Sequence, residues 1–168
     1  MRMFVVAGVA GSGKSTVGAA LAARLGCAFV DGDDLHPAAN VAKMRAGRPL
    51  DDADRAAWLA AIGAWLDRRI AAGEDAVVAC SALRRAHRDR LAAGRAGLCF
   101  VYLDAPPELI RTRLSHRAGH FFPADLMGSQ FAALERPEAD ERAVIVPADR
   151  PIEEIVTRAL AGPTPSRD

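Results

Sequence analysis

The densest chemical information in the chain lies in one short stretch near its amino terminus. Gly8, Val9, Ala10, Gly11, Ser12, Gly13, Lys14 and Ser15 read G-x-x-x-x-G-K-S. Glycines let a backbone curl until successive amide N–H groups converge on phosphate oxygens, and a helix opening at the end of the loop adds partial positive charge. In such a cradle Lys14 reaches the β- and γ-phosphates and the Ser15 hydroxyl ligates Mg²⁺, with Thr16 completing the junction between loop and helix. The motif specifies a nucleoside triphosphate and leaves the reaction open.

A second cluster, Asp31-Gly32-Asp33-Asp34-Leu35-His36-Pro37, supplies carboxylates. Asp33 falls 19 positions after Lys14, and an acid there orients or deprotonates a hydroxyl that attacks the γ-phosphate. Three acids cannot all be catalytic. Asp34 is expected to be only a cap, and Asp31 is the candidate to assist the metal through water. The run Ala79-Cys80-Ser81-Ala82-Leu83 has no acid where an ordinary Walker B strand places an Asp, so Mg²⁺ has to rely on Ser15, water and a carboxylate of the earlier cluster. No N-K-x-D occurs, which argues against a GTPase, and the small size argues against a large motor or AAA-type ATPase.

The cations that follow are Lys43, Arg48, Arg55, Arg84, Arg85 and Arg88. Lysine occurs only at positions 14 and 43 among 22 basic residues, so Lys43 stands out. A compact ammonium is chosen where a guanidinium does not fit. Arg113 and Arg117 are spaced i, i+4 just before a stretch rich in glycine and aromatics, the pattern of a basic helix leading into a lid that excludes water. Arginines there can stack on adenine and neutralise transition-state charge. His116 and His120 share that spacing, but Gly119 interrupts the helix and no acid or cysteine adjoins them, so a metal site is not expected.

These residues need a scaffold. Short apolar runs at 3–7, 28–30, 76–80, 98–103 and 143–146 read as buried strands. Helices are expected at 14–25, 38–46, from Asp51 or Asp52 to near Gly73, at 84–93, 107–116, 125–135 and 152–160. The third is the clearest, with Trp58, Leu59, Ile62, Trp65, Leu66 and Ile70 on one face and Asp54 in its first turn, where carboxylates cap free amides. Strands alternating with helices predict an α/β fold, a parallel sheet with helices on both faces. Ligands in such folds gather at the carboxyl ends of strands, here Gly8 onward, Asp31 to Asp34, Ser81 onward and Asp104 onward.

The 168 residues fit a single domain, expected over 1–161, with a disordered tail at 162–168. Acidic residues number 21 and the net charge is +1, which argues against a protein that holds nucleic acid by bulk charge. Cys27, Cys80 and Cys99 are isolated and read as buried small hydrophobes in a reducing cytoplasm. The apolar run after Arg2 is too short for a signal peptide, and no stretch is long enough to span a membrane, so no membrane partner is expected.

Taken together, these stretches resemble the thermoresistant, bacterial-type gluconokinases, small P-loop kinases related to shikimate and adenylate kinases. The matching segments are G-V-A-G-S-G-K-S at 8–15, D-G-D-D-L-H-P at 31–37, N-V-A-K-M-R-A-G-R-P-L-D-D-A-D-R-A-A-W-L at 40–59 and C-S-A-L-R-R-A-H-R-D at 80–89. F-V-Y-L at 100–103, G-H-F-F at 119–122 and S-Q-F-A-A-L-E-R-P at 129–137 complete them. The resemblance implies a three-layer α/β/α P-loop NTPase fold with sheet order 2-3-1-4-5, a helical substrate-binding region around 36–73 and a lid around 117–126. It implies transfer from ATP to the 6-hydroxyl of D-gluconate, with Mg²⁺ and a homodimer. By the same analogy Arg113 lies on adenine and Arg117 near the phosphates, Asp33 holds the attacking hydroxyl, and Arg55 or Lys43 holds the substrate carboxylate. His36 and Arg84 join them as substrate-binding candidates. His87 stands where the family often has tyrosine, and Met127 and Gly128 fall near a frequent leucine, departures that bear on substrate fit. The alternatives are a shikimate or nucleoside monophosphate kinase, or a nucleotide-gated binding protein without transfer chemistry.

Overall fold

The computed structural model of the protein describes residues 1–115 and 124–162. Its elements run β1 (Met3–Ala7), α1 (Lys14–Leu25), β2 (Ala28–Asp31), a 3₁₀ turn (Gly32–Leu35), α2 (Ala38–Arg45), α3 (Asp52–Ala71) and β3 (Ala76–Ala79). They continue with α4 (Arg85–Ala92), β4 (Leu98–Asp104), α5 (Pro107–Ser115), α6 (Ala124–Ala132), β5 (Ala143–Pro147) and α7 (Ile152–Ala161). The expected lid at 117–126 falls almost wholly outside the described residues, as do Arg117, His116, His120 and the tail from 163.

All described strand pairs are parallel, and the sheet order is β2-β3-β1-β4-β5. Central β1 pairs with β3 (Val5 opposite Val78) and with β4 (Val5 opposite Phe100). Successive side chains of a strand point to opposite faces, so β1 divides between two apolar layers. Phe4 and Val6 pack with Val17 and Leu21 of α1 and with Ile155 and Val156 of α7. Met3, Val5 and Ala7 pack with Trp58, Ile62 and Leu66 of α3 and with Leu91 of α4. This is why β1 reads as an unbroken apolar run: both its faces are covered.

Two local devices aim the ends of these elements. Asp51 caps α3 by accepting from the Asp54 amide at 2.9 Å, while the Asp54 carboxylate accepts from the Asp51 amide at 3.0 Å. Each side chain satisfies an amide that the first turn leaves unpaired. Gly32 opens the 3₁₀ turn, where a Cβ would lie 2.5 Å from the Ala79 carbonyl oxygen, so only glycine lets the turn sit against β3. Cys80 and Cys99 are buried as expected, but Cys27 is only half-buried because it follows α1 at the open end of edge strand β2. Among the described residues no helix is long and apolar enough to cross a membrane.

Candidate active site

The glycine loop joins the carboxyl end of β1 to α1. Gly8 has φ +143°, and a Cβ there would come within 3.0 Å of the Leu103 carbonyl and the Ser12 hydroxyl. Gly13 adopts a left-handed conformation ahead of α1, which carries no side-chain cap and no acid in its first turn. The first amides of α1 are thereby left to an anion. Lys14 folds back over the loop and donates to the Val9 carbonyl at 3.0 Å. Burial pushes its ammonium below the usual lysine range, against the pull of Asp33 and Asp31.

Beside the loop lies a cleft of about 300 Å³ lined by Gly11, Ser12, Gly13, Thr16, Arg113 and Arg150, among others. Arg113 donates to the carbonyls of Ser12 at 2.8 Å and Ala148 at 2.6 Å. These bonds use the edge of the guanidinium and leave its flat faces for stacking. Arg150 belongs to no motif in the sequence, and it reaches this cleft because it lies just beyond the last strand, β5.

At the end of β2 the acids divide their labour differently from expectation. Asp31, not Asp34, is the cap: its carboxylate accepts from the Asp33 amide at 3.1 Å and from the Ser15 hydroxyl. It stands at the last residue of the strand, so its side chain reaches the turn that follows and the start of α1 together. The Asp33 carboxyl is held above its ordinary range, first by desolvation and then by the Asp31 charge, with Lys14 opposing. The carboxylate itself stays open to solvent, 86% exposed.

A second cleft, also about 300 Å³, is lined by Arg55, Trp58, Ser81, Arg84, His87, Ser129 and Gln130. Arg55 and Arg84, from different elements, converge on one carboxylate oxygen, Asp52 Oδ1, at 3.2 and 3.9 Å. His87 lines this cleft, and burial and then the cations Arg84 and Arg55 push its imidazole below the usual range. Lys43 has other partners, Asp54 at 2.6 Å and Asp51 at 3.1 Å, and its ammonium ties α2 to the start of α3. Arg88 and Arg85 are likewise committed. Arg88 is 1% exposed and forms a two-point pair with Glu141, and Arg85 pairs with Glu138 and Asp140.

The glycine loop is bonded to two residues that line the second cleft. The Gly8 amide donates to the Ser81 carbonyl at 3.2 Å, and the Ala10 amide donates to Gln130 Oε1 at 2.7 Å. In the sequence Gln130 stands out only as part of the S-Q-F segment. Its place on α6 beside the loop is a tertiary fact.

Residues 3–137 match a family model described as an AAA domain. The chain is 48% identical over 149 residues to a gluconokinase of Gluconobacter oxydans, covering 89% of this chain and 84% of that one. It is 40% identical to the thermoresistant gluconokinase of Escherichia coli, covering 94% and 91%. The crystal structure of a gluconokinase from Sinorhizobium meliloti superposes with a TM-score of 0.84 at 47% identity, over 96% of this chain and 90% of that one.

Proposed function

The chain belongs to the gluconokinase family, and from that premise we propose how its two clefts share one reaction. The enzyme phosphorylates gluconate from ATP. ATP takes the loop-side cleft, with its phosphates on the amides of residues 11–16, Lys14 against the β- and γ-phosphates, and its base beside Arg113 and Arg150. Gluconate takes the second cleft, its carboxylate between Arg55 and Arg84 and its 6-hydroxyl toward Asp33.

The 6-hydroxyl oxygen forms a bond to the γ-phosphorus as the bond from that phosphorus to the β,γ-bridging oxygen breaks. ADP leaves with the electron pair, the hydroxyl proton passes to Asp33, and the product is 6-phosphogluconate. Asp33 is suited to that proton because its carboxyl is held above the usual range. Lys14 balances the charge that spreads over the phosphoryl oxygens. The paired Ser15 hydroxyl and Asp31 carboxylate are hard oxygen donors of the kind Mg²⁺ takes, so these residues fit the ion and would hold it. When bound, Mg²⁺ neutralises charge on the β- and γ-phosphates. Arg117 belongs to the same reading as a phosphate-side cation of the lid. His36 enters it behind Asp33, and Lys43 enters as an anchor of α3.

The observation that carries the acceptor assignment is the convergence of Arg55 and Arg84 on a single carboxylate oxygen. A cytoplasmic homodimer completes the reading. It is supported by the family resemblance and checked by sedimentation of the purified protein. Release of ADP should depend on gluconate in a panel with related aldonates, shikimate and nucleoside monophosphates. Turnover of shikimate or a nucleotide without gluconate would overturn the assignment. Asp33→Asn should lower kcat by about 10²–10⁴-fold with little change in the KM for ATP. A change confined to ATP affinity would remove Asp33 from the acceptor side.

A further inference from the structure

His36 is a titratable side chain that the phosphoryl transfer does not itself require, yet it is 7% exposed and held on three sides. Its ring stacks on Trp58 with centroids 4.5 Å apart and planes 10° from parallel. Trp58 in turn is pinned by donating from Nε1 to the Gly32 carbonyl at 2.6 Å, so the platform is fixed to the turn that carries Asp33. Stacking sets the plane of the imidazole, and Asn40 sets its edge.

The Asn40 side chain is buried, and its Nδ2 donates to the Asp54 carbonyl at 2.8 Å. A carbonyl oxygen only accepts, so this contact decides which end of the amide faces it. The same nitrogen lies 3.3 Å from His36 Nδ1. An amide nitrogen has only hydrogens to offer, so Nδ1 has to present its lone pair and the ring proton has to sit on Nε2. Nε2 faces Asp33 Oδ1 at 3.9 Å.

We propose that Asn40 locks His36 as the Nε2–H tautomer and that this ring keeps one oxygen of Asp33 occupied, leaving the other in register for the acceptor hydroxyl. His36 and Asn40 are then positioning residues for the transfer. The proposal rests on Asp33 being the acceptor-side carboxylate. At 3.9 Å the pair is longer than a direct hydrogen bond, and catalytic contacts of this kind tighten when the acceptor is seated. The opposite tautomer would turn a lone pair on a carboxylate oxygen. Burial pushes the ring below its usual pKa against the opposing pull of Asp33, the direction that favours the neutral imidazole. The Asp54 carboxylate is held by Lys43 and the Asp51 amide, and Lys14 and Asp31 act on Asp33.

The test is direct observation of the tautomer in the full chain by two-bond proton–nitrogen correlation spectra of the imidazoles, with the His36→Gln spectrum identifying which signals belong to His36. Proton on Nε2 is the expected result, and proton on Nδ1 overturns the proposal. In kinetics, His36→Leu and Asn40→Asp should each lower kcat by about 10- to 100-fold while the KM values for ATP and gluconate stay within about twofold. His36→Gln, which returns an N–H near the Nε2 position, should recover to within about threefold of wild type. Wild-type kcat in folded His36→Leu overturns the proposal as surely as the wrong tautomer. Asp33→Asn, run alongside, separates the two readings. If it retains full kcat, the acceptor role of Asp33 fails. If it is inactive while His36 carries its proton on Nδ1, only the positioning role fails.

Discussion

The cleft proposed for the nucleotide and the cleft proposed for the acceptor both draw on residues that follow the carboxyl ends of parallel strands, but they are made of different material. The nucleotide cleft is chiefly backbone: a loop of consecutive residues, glycine where a Cβ would collide, and the uncapped amides of α1. The acceptor cleft is side chains drawn from α3, the β3–α4 connection, α4 and α6. Phosphate looks alike in every nucleotide, so a contiguous loop can read it. A sugar acid has to be told from its neighbours by shape and hydrogen-bonding pattern, which demands several side chains brought in from different directions.

That difference can be broken by experiment. Lys14→Ala acts on the charge of the transferring group, and it should lower kcat/KM by about 10²–10³-fold, roughly 3–4 kcal/mol of transition-state stabilisation. Near-normal turnover would mean that the backbone cradle does not need its lysine.

The acceptor cleft should instead be vulnerable through its support. Arg88 donates to the carbonyls of Ala82, Leu83 and Glu135 as well as to Glu141, and so sews the loop before α4 to the segment after α6. Glu141→Gln leaves that buried guanidinium short of its charge partner and should cost about 3–5 kcal/mol of stability at neutral pH, measured by urea denaturation. The Arg88 hydrogen bonds hold the Glu141 carboxyl below its ordinary value of 4.5. A depressed carboxylate contributes in full above its unfolded value and loses that contribution as pH falls through the folded one. The stability gap between wild type and Glu141→Gln should therefore narrow below pH 4.5, and a gap independent of pH would contradict the ion pair. The smallest effect is expected at the rim. Arg84→Ala should raise the KM for gluconate about tenfold and leave that for ATP unchanged. An effect on ATP instead would place Arg84 with the phosphates.

Legibility in the sequence follows the same division. The alternation of apolar runs with helical periodicity located all five strands to within a residue or so at each end, because strands covered on both faces have to be continuously apolar. The glycine loop was legible because its function is local. The acids of the second cluster stand out in the sequence, but which of them caps the turn does not. Which of Asp31 and Asp34 caps the turn depends on the strand ending at Asp31, where one side chain reaches both Ser15 and the Asp33 amide. Lys43 stood out by composition and turned out to bind Asp51 and Asp54, a pairing created only when α2 folds back against α3.

The sequence by itself determined the fold class, the phosphate cradle and, through its family motifs, the reaction. Each of these depends on periodicity or on residues close together along the chain. The tertiary structure decided which groups meet: Arg55 and Arg84 at Asp52, Gln130 with the Ala10 amide, Arg88 with Glu141, and Asn40 with His36. The physical reason is range. A backbone cradle closes within a few residues, whereas a site of side chains exists only after the sheet has set its strand order and the helices have packed across its ends.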